Sequence, residues 1–128
     1  MDASQGMDAV GWIEQAERIL VCARQLRGLL EEQARLHGLS EPELALLWAC
    51  SKAPPGGRSQ CELAERLAVS PAHVSGLVER MCRVGLLQGR AVEGDRRRHL
   101  WELAPAGLVV WQAVLNGLTE SVEQRGAA

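Results

Sequence analysis

The chain of 128 residues contains no tyrosine and no phenylalanine, so Leu, Val, Ala and four tryptophans must fill its interior. It has no run of roughly 18 apolar residues, so no membrane-spanning helix is expected. The amino-terminal MDASQGMDAVGW lacks the basic and apolar regions of a secretory signal, and a cytoplasmic location is expected. Cys22, Cys50, Cys61 and Cys82 form no CxxC pair. Neither disulfides nor metal-ligand spacing are indicated, and the four are expected to be small apolar side chains on helices. His37, His73 and His99 are scattered, with no paired nucleophile and no ligand spacing. No catalytic residue, metal or cofactor is therefore expected, and the chain reads as something other than an enzyme.

Positive charge is also lacking overall, at a net −2, but its distribution is uneven. Between Lys52 and Trp101 there are nine basic and five acidic residues, giving +4 and leaving −6 for the rest of the chain. A basic middle between acidic ends is the asymmetry expected when only the middle meets phosphate.

What is present is a succession of helical signals. From Asp8 to Leu36, Trp12, Ala16, Ile19, Ala23, Leu26 and Leu30 recur in steps of three and four, and Ile13, Leu20, Leu29 and Leu36 widen the stripe. An apolar face that broad needs more cover than a small domain supplies, which points to a partner chain. Gly38 ends this helix. Ser40-Glu-Pro-Glu43 is a capping box opening a second helix, with Leu44, Leu47 and Trp48 expected to face inward; APPGGR then enforces a loop.

Ser59-Gln-Cys-Glu62 opens a third helix in the same way, with Leu63 and Leu67 one turn apart and small Ala64 between them. Ala68-Val69 makes a turn. Ser70 and Pro71 start a fourth helix, whose buried stripe is Val74, Leu77, Val78 and Met81. Its other face carries Ala72, His73, Ser75, Gly76, Glu79, Arg80 and Arg83, leaving the first half unobstructed, as a helix entering the major groove requires. After Gly85 a strand runs to about Val92, Glu93-Gly94-Asp95 is a turn, and His99 to Leu103 is the return strand. A last helix carries Leu108, Trp111, Leu115, Leu118 and Val122 at heptad-like spacing.

The expected fold is mainly α with a small β-wing (α+β): a winged helix-turn-helix flanked by long N- and C-terminal helices. The chain reads as a single domain, 1–128. Within it, residues 8–37 form an N-terminal dimerisation helix, 39–104 the DNA-binding region and 105–125 a C-terminal dimerisation helix.

ELAERLAVSPAHVSGLVERM, the following GLL and the wing GDRRRHLWELAPAG together resemble the MarR family of bacterial winged helix-turn-helix transcription regulators. Asp95 and Arg97 fit the family's Asp-x-Arg. Leu103 to Gly107 fits its Leu-Thr-Pro-x-Gly, with Ala104 in place of threonine. The resemblance implies a homodimer on a pseudo-palindromic operator, here expected to act as a repressor, with its terminal helices paired across the two-fold axis. It also implies, for many members, a small-molecule effector between the dimerising and DNA-binding parts. Only about twenty residues follow Gly107, so the family's further C-terminal helix is expected to be missing or very short.

On this reading Ser70, Ala72, His73, Ser75, Gly76 and Arg80 are the candidate groove residues, Ser70 serving first as a cap. Arg80 either contacts a guanine or phosphate, or pairs with Glu79 or Glu62. In the wing, Arg97 is expected in a narrow minor groove, oriented by Asp95, with Arg96 and Arg98 on phosphates. Trp12, Trp48 and Trp111 line a ligand pocket or, as is commoner, pack in the core or dimer. Two other readings stay open: a winged-helix protein-interaction module without DNA binding, and a redox regulator using Cys22, which lies near the position of the peroxide-sensing branch's cysteine but lacks that branch's activating tyrosines.

Overall fold

The computed structural model describes residue 6 and residues 8–126, without the side chains of Arg96 and Arg97. Seven elements follow in order: α1 (Ala9–Leu36), α2 (Glu41–Ser51), α3 (Gln60–Leu67), α4 (Pro71–Arg83), β1 (Leu87–Val92), β2 (Asp95–Leu103) and α5 (Pro105–Gly126).

The helix starts follow the sequence closely, because an N-terminal turn needs acceptors for its free N–H groups. Asp8 Oδ1 accepts the Gly11 N–H at 2.8 Å. Ser40 and Ser59 both complete capping boxes, with Glu43 and Glu62 reaching back to the cap N–H groups. Ser70 Oγ accepts the His73 N–H at 3.1 Å. Gly38, Gly85 and Gly94 take positive φ where helices end and the hairpin turns.

The core forms around α2. Leu44, Leu46 and Leu47 are buried there, against Ala34 of α1, Leu63 of α3, Val74, Val78 and Met81 of α4, Leu87 of β1 and Trp111 and Val114 of α5. Trp48 corrects the expectation. It is 42% exposed, its ring tilted against Trp111 at 5.5 Å with the Lys52 ammonium 5.0 Å above it. Helix geometry turns its position from the core to the rim, and Leu46 takes the inward place.

Along α1, Leu29, Gln33 and Ala34 are buried, while Trp12, Ile13, Ile19, Leu20 and Leu26 stand exposed. The helix extends beyond the elements that could cover it. α1 crosses α5 where Gly117 faces Gln33: a Cβ on Gly117 would sit 2.2 Å from Gln33 Oε1.

The wing departs from expectation in two ways. The return strand begins at Asp95, not His99, and pairs antiparallel with β1 from Leu87↔Leu103 outward, with an irregularity between Ala91 and Val92 near the tip. Arg58 also adds a third, one-residue strand: its N–H donates to Trp101 O at 3.0 Å and its carbonyl accepts the Trp101 N–H at 2.7 Å. Gly57 makes that approach possible. It has φ of 100°, and a Cβ there would lie 2.5 Å from Trp101 O. Gly57→Ala should therefore destabilise the protein by about 2 kcal/mol or more, seen as a lower midpoint in urea unfolding. An unchanged midpoint would show that the wing root is not held this way.

Candidate nucleic-acid interface

α3 and α4 are joined by a tight turn. Ala68 adopts the left-handed region (φ 55°) that caps α3, and the Val69 N–H returns to Ala64 O at 3.1 Å. A non-glycine there costs on the order of 1 kcal/mol, offset by the packing of the two helices it brings together. Val74, Val78 and Met81 face inward from α4, essentially inaccessible to solvent. Their burial turns Ala72, His73, Ser75 and Gly76 outward, all exposed. A Cβ on Gly76 would meet nothing within 4 Å, so the helix surface is open at that point. Ser70 is exposed but its hydroxyl serves the cap.

Arg80 differs in having partners within the chain. Its Nε is 2.6 Å from Glu43 Oε2, an ion pair off the hydrogen-bonding angle, and an Nη donates to Gly38 O at 3.1 Å. The sequence reading offered Glu79 or Glu62 as partners. The observed one, Glu43, is 3% exposed and reaches Arg80 because the start of α2 packs beside α4. Here the guanidinium is tied to Glu43 and the Gly38 carbonyl, with the side chain still 43% exposed.

At the wing tip, Glu93-Gly94 makes the turn, and Asp95 and Arg98 are exposed. The Arg96 and Arg97 side chains, and with them the expected Asp95–Arg97 pairing, lie outside the described residues. Arg90 and Gln88 both reach Glu102 Oε1 across the hairpin, at 3.2 and 3.0 Å. Below the tip, Trp101 packs on Gly89, where a Cβ would lie 2.6 Å from the indole, and stacks with His99 at 5.9 Å. Trp101 Nε1 is buried without a hydrogen-bond partner among the described residues.

Arg98 borders a cleft of about 470 Å³ with Ser59, Gln60, Cys61, His99 and Trp101, joining the wing to the start of α3. The Glu62 carboxyl is held below the usual carboxylate range, first by the Ser59 N–H, then by the Ser59 hydroxyl, with Arg58 and Arg98 adding a smaller effect.

Sequence reasoning missed what Arg58 does. Beyond its strand pairing, its Nε donates to Ala49 O at 3.0 Å and an Nη to Lys52 O at 2.9 Å, tying off the end of α2. Arg58, Arg80 and Arg90 thus have partners within the chain, and Arg90 is exposed together with Arg66, Arg83 and Arg98. The Gly56-Gly57 pair just before Arg58 was the available signal.

An apolar cleft of about 340 Å³ opens among α1, α2 and α5, walled by Leu30, Leu44, Trp48, Trp111, Leu115 and Leu118. Trp12 lies away from it, on the exposed half of α1 at 62% exposure. Among the described residues, no group of three or more His, Cys, Asp or Glu side chains is arranged to hold a metal, and no helix is long and apolar enough to cross a membrane.

The order of elements, the open α4 face and the cationic hairpin define a winged helix-turn-helix domain. Residues 37–98 match the family profile described as the MarR family. The chain is 32% identical over 98 residues to a protein of Rhodopseudomonas palustris named transcriptional activatory protein BadR; the match covers 76% of this chain and 56% of that one. Among solved structures, the fold is similar to that of RV1404 from Mycobacterium tuberculosis (TM-score 0.78, 21% identity, 95% of this chain and 82% of that one). It is also similar to AbsC, a MarR family transcriptional regulator from Streptomyces coelicolor (TM-score 0.74, 22% identity, 94% and 80%). A third similar structure is a mutant MepR of Staphylococcus aureus bound to an oligodeoxyribonucleotide (TM-score 0.73, 16% identity, 88% and 81%).

The four cysteines lie on the helices α1 to α4, as expected, and divide by environment. Cys22 and Cys61 are exposed, Cys82 is half-buried, and Cys50 is buried, its thiol pushed up to about 12 chiefly by desolvation. Burial alone also raises the Cys82 thiol. An alkylating reagent at neutral pH should label Cys22 and Cys61 first, Cys82 more slowly and Cys50 last, read by peptide mass spectrometry. Early labelling of Cys50 in folded protein would contradict the packing around α2.

Proposed function

We propose that this chain is a homodimeric DNA-binding transcription regulator. It lays α4 in the major groove and brings the β1–β2 tip, with Arg97 as its reader, to the adjacent minor groove. The observation that carries this reading is the face of α4: Ala72, His73, Ser75 and Gly76 exposed and unobstructed, over the fully buried Val74 and Val78. The exposed Arg98, at the cleft between the wing and the start of α3, and the Asp95-x-Arg97 pattern support the wing assignment. The similarity to a MepR structure bound to an oligodeoxyribonucleotide supports the choice of DNA as partner.

The dimer rests on the apolar faces that one copy leaves open: Val10, Trp12, Ile13, Ile19, Leu20 and Leu26 on α1, and Leu108, Val109, Leu115 and Val122 on α5. Two copies paired through these faces would set their α4 helices about 34 Å apart, in successive major grooves. The cleft walled by Trp48 and Trp111 would take an apolar or aromatic effector.

Operator occupancy by such a dimer represses when the site overlaps a promoter. The similarity to a protein named as activatory favours activation as the second reading. A reporter driven by the selected duplex upstream of a weak promoter separates the two by the sign of the change.

DNA binding is tested with duplexes selected by the protein from a random library. Light scattering should give twice 13.9 kDa. Arg97→Ala should cost about 1–3 kcal/mol of binding with unchanged circular dichroism, and affinity should fall steeply with added salt. No duplex enriched at low salt would leave a protein-interaction module as the better reading.

A further inference from the structure

We infer that the Arg80–Glu43 ion pair is a latch that fixes the angle of α4 relative to α1, and so fixes the half-site spacing that a dimer accepts. Arg80 is then a positioning residue rather than a reader of bases. The inference rests on the DNA-binding dimer proposed above.

Three elements meet at this pair. Arg80 leaves α4 near its C-terminal end, Glu43 lies in the first turn of α2, and Gly38 closes the turn after α1 with φ of 70°. Glu43 serves two of them at once: Oε1 accepts the Ser40 N–H at 2.8 Å and Oε2 meets Arg80 Nε at 2.6 Å. The Arg80 Nη that donates to Gly38 O spans 42 positions of sequence.

Packing through α2 and this polar tie together connect α1 to α4. α4 packs on α2, α3 and β1, and α1 packs on α2 and α5, but α1 and α4 share no extended contact. Between α1 and the helix-turn-helix there is instead a cleft of about 830 Å³, bordered by Arg27, Glu31, Leu39, Ser40, Leu67 and Val69. With open space on that side, the path from the dimerising helix to the recognition helix runs through α2 and this polar contact. Glu43 is almost wholly buried, so its carboxylate needs the cation beside it, and that need holds the Arg80 side chain to one geometry.

The test uses full-length protein and the duplex it selects from a random library, with one base pair added or removed between half-sites, a shift of about 3.4 Å along the axis. Glu43→Gln retains an oxygen for the Ser40 N–H and removes the charge. Glu43→Gln with Arg80→Met removes both charges, and so leaves no unpaired ion to unfold the protein.

Both variants should remain dimeric. Both should bind the selected duplex about tenfold more weakly, and should lose most of the wild-type preference for its spacing. Altered spacing preference is the decisive readout, since a merely structural role would lower the melting temperature and leave the preference intact. Wild-type affinity and spacing in the double variant would overturn the latch alone. Tighter binding by Glu43→Gln would also overturn it, by showing that Arg80 contacts DNA when freed. If the wild-type protein enriches no duplex, the DNA-binding reading falls and the latch falls with it.

Discussion

The burial of α2 is the constraint on which the rest depends. Leu44, Leu46, Leu47, Ala49 and Cys50 fall on several sides of one short helix, and each is at least nine-tenths withdrawn from water. A helix apolar on so many sides is stable only when surrounded. α1, α3, α4, α5 and β2 all pack on it. Each fully buried leucine contributes about 1.5–3 kcal/mol relative to an exposed one, so the arrangement of neighbours is set by the need to cover this helix. Its ends are closed by polar groups: the Ser40–Glu43 box at the start and the Arg58 guanidinium on the Ala49 and Lys52 carbonyls at the finish. The same groups connect outward, Glu43 to α4 and Arg58 to the root of the wing.

Covering α2 uses only part of α1. A 28-residue helix is about 42 Å long, and the 11-residue α2 can flank only part of it. Its C-terminal end is buried and its remainder keeps exposed apolar side chains. The exposed positions on α5 fit the same account, since Trp111 and Val114 turn inward while Leu108, Val109 and Leu115 turn out. The helix-turn-helix and wing thus share one core with the inner faces of α1 and α5, whereas the outer apolar faces of those two helices lack cover among the described residues.

Much of the fold was legible because helix starts and tight turns are local. The caps at Ser40, Ser59 and Ser70 and the glycine stops depend on residues within four positions of each other, and all formed as read. The α4 stripe was legible because Val74, Val78 and Met81 keep helical period. What escaped was non-local. Trp48 was read inward from its apolar character, yet the inward place belongs to Leu46. Arg58 was counted only within the basic middle, and Arg80 was left between a DNA contact and pairing with Glu79 or Glu62, because a sequence shows a charge but not its partner. The acceptors of Arg58 lie six and nine positions away, and the Gly38 carbonyl that holds Arg80 lies 42 positions away. For the wing, the order strand–turn–strand was correct. The longer β2 depended on pairing across the hairpin, which the arginine run around Arg96 to Arg98 obscured.

The elements aimed at solvent share a design: each is fixed at its base and open where a ligand would meet it. α4 begins at a capped, tightly turned N-terminus and is held near its end by Glu43, and between these its outer face is clear. The wing is fixed at Trp101, which sits on Gly89, beside Gly57, and pairs with Arg58; beyond it the exposed hairpin runs out to the Gly94 turn. Seating the indole this tightly leaves its N–H without a partner among the described residues, a cost on the order of 1–3 kcal/mol that the surrounding packing offsets. A structure that accepts this cost at the wing root gains a hairpin with a set direction. Directed, pre-ordered elements lose less conformational entropy on binding, so more of their contact energy is realised as affinity. The position of Gly57, Gly89 and Trp101 at the wing's root, away from its charged tip, follows from that requirement.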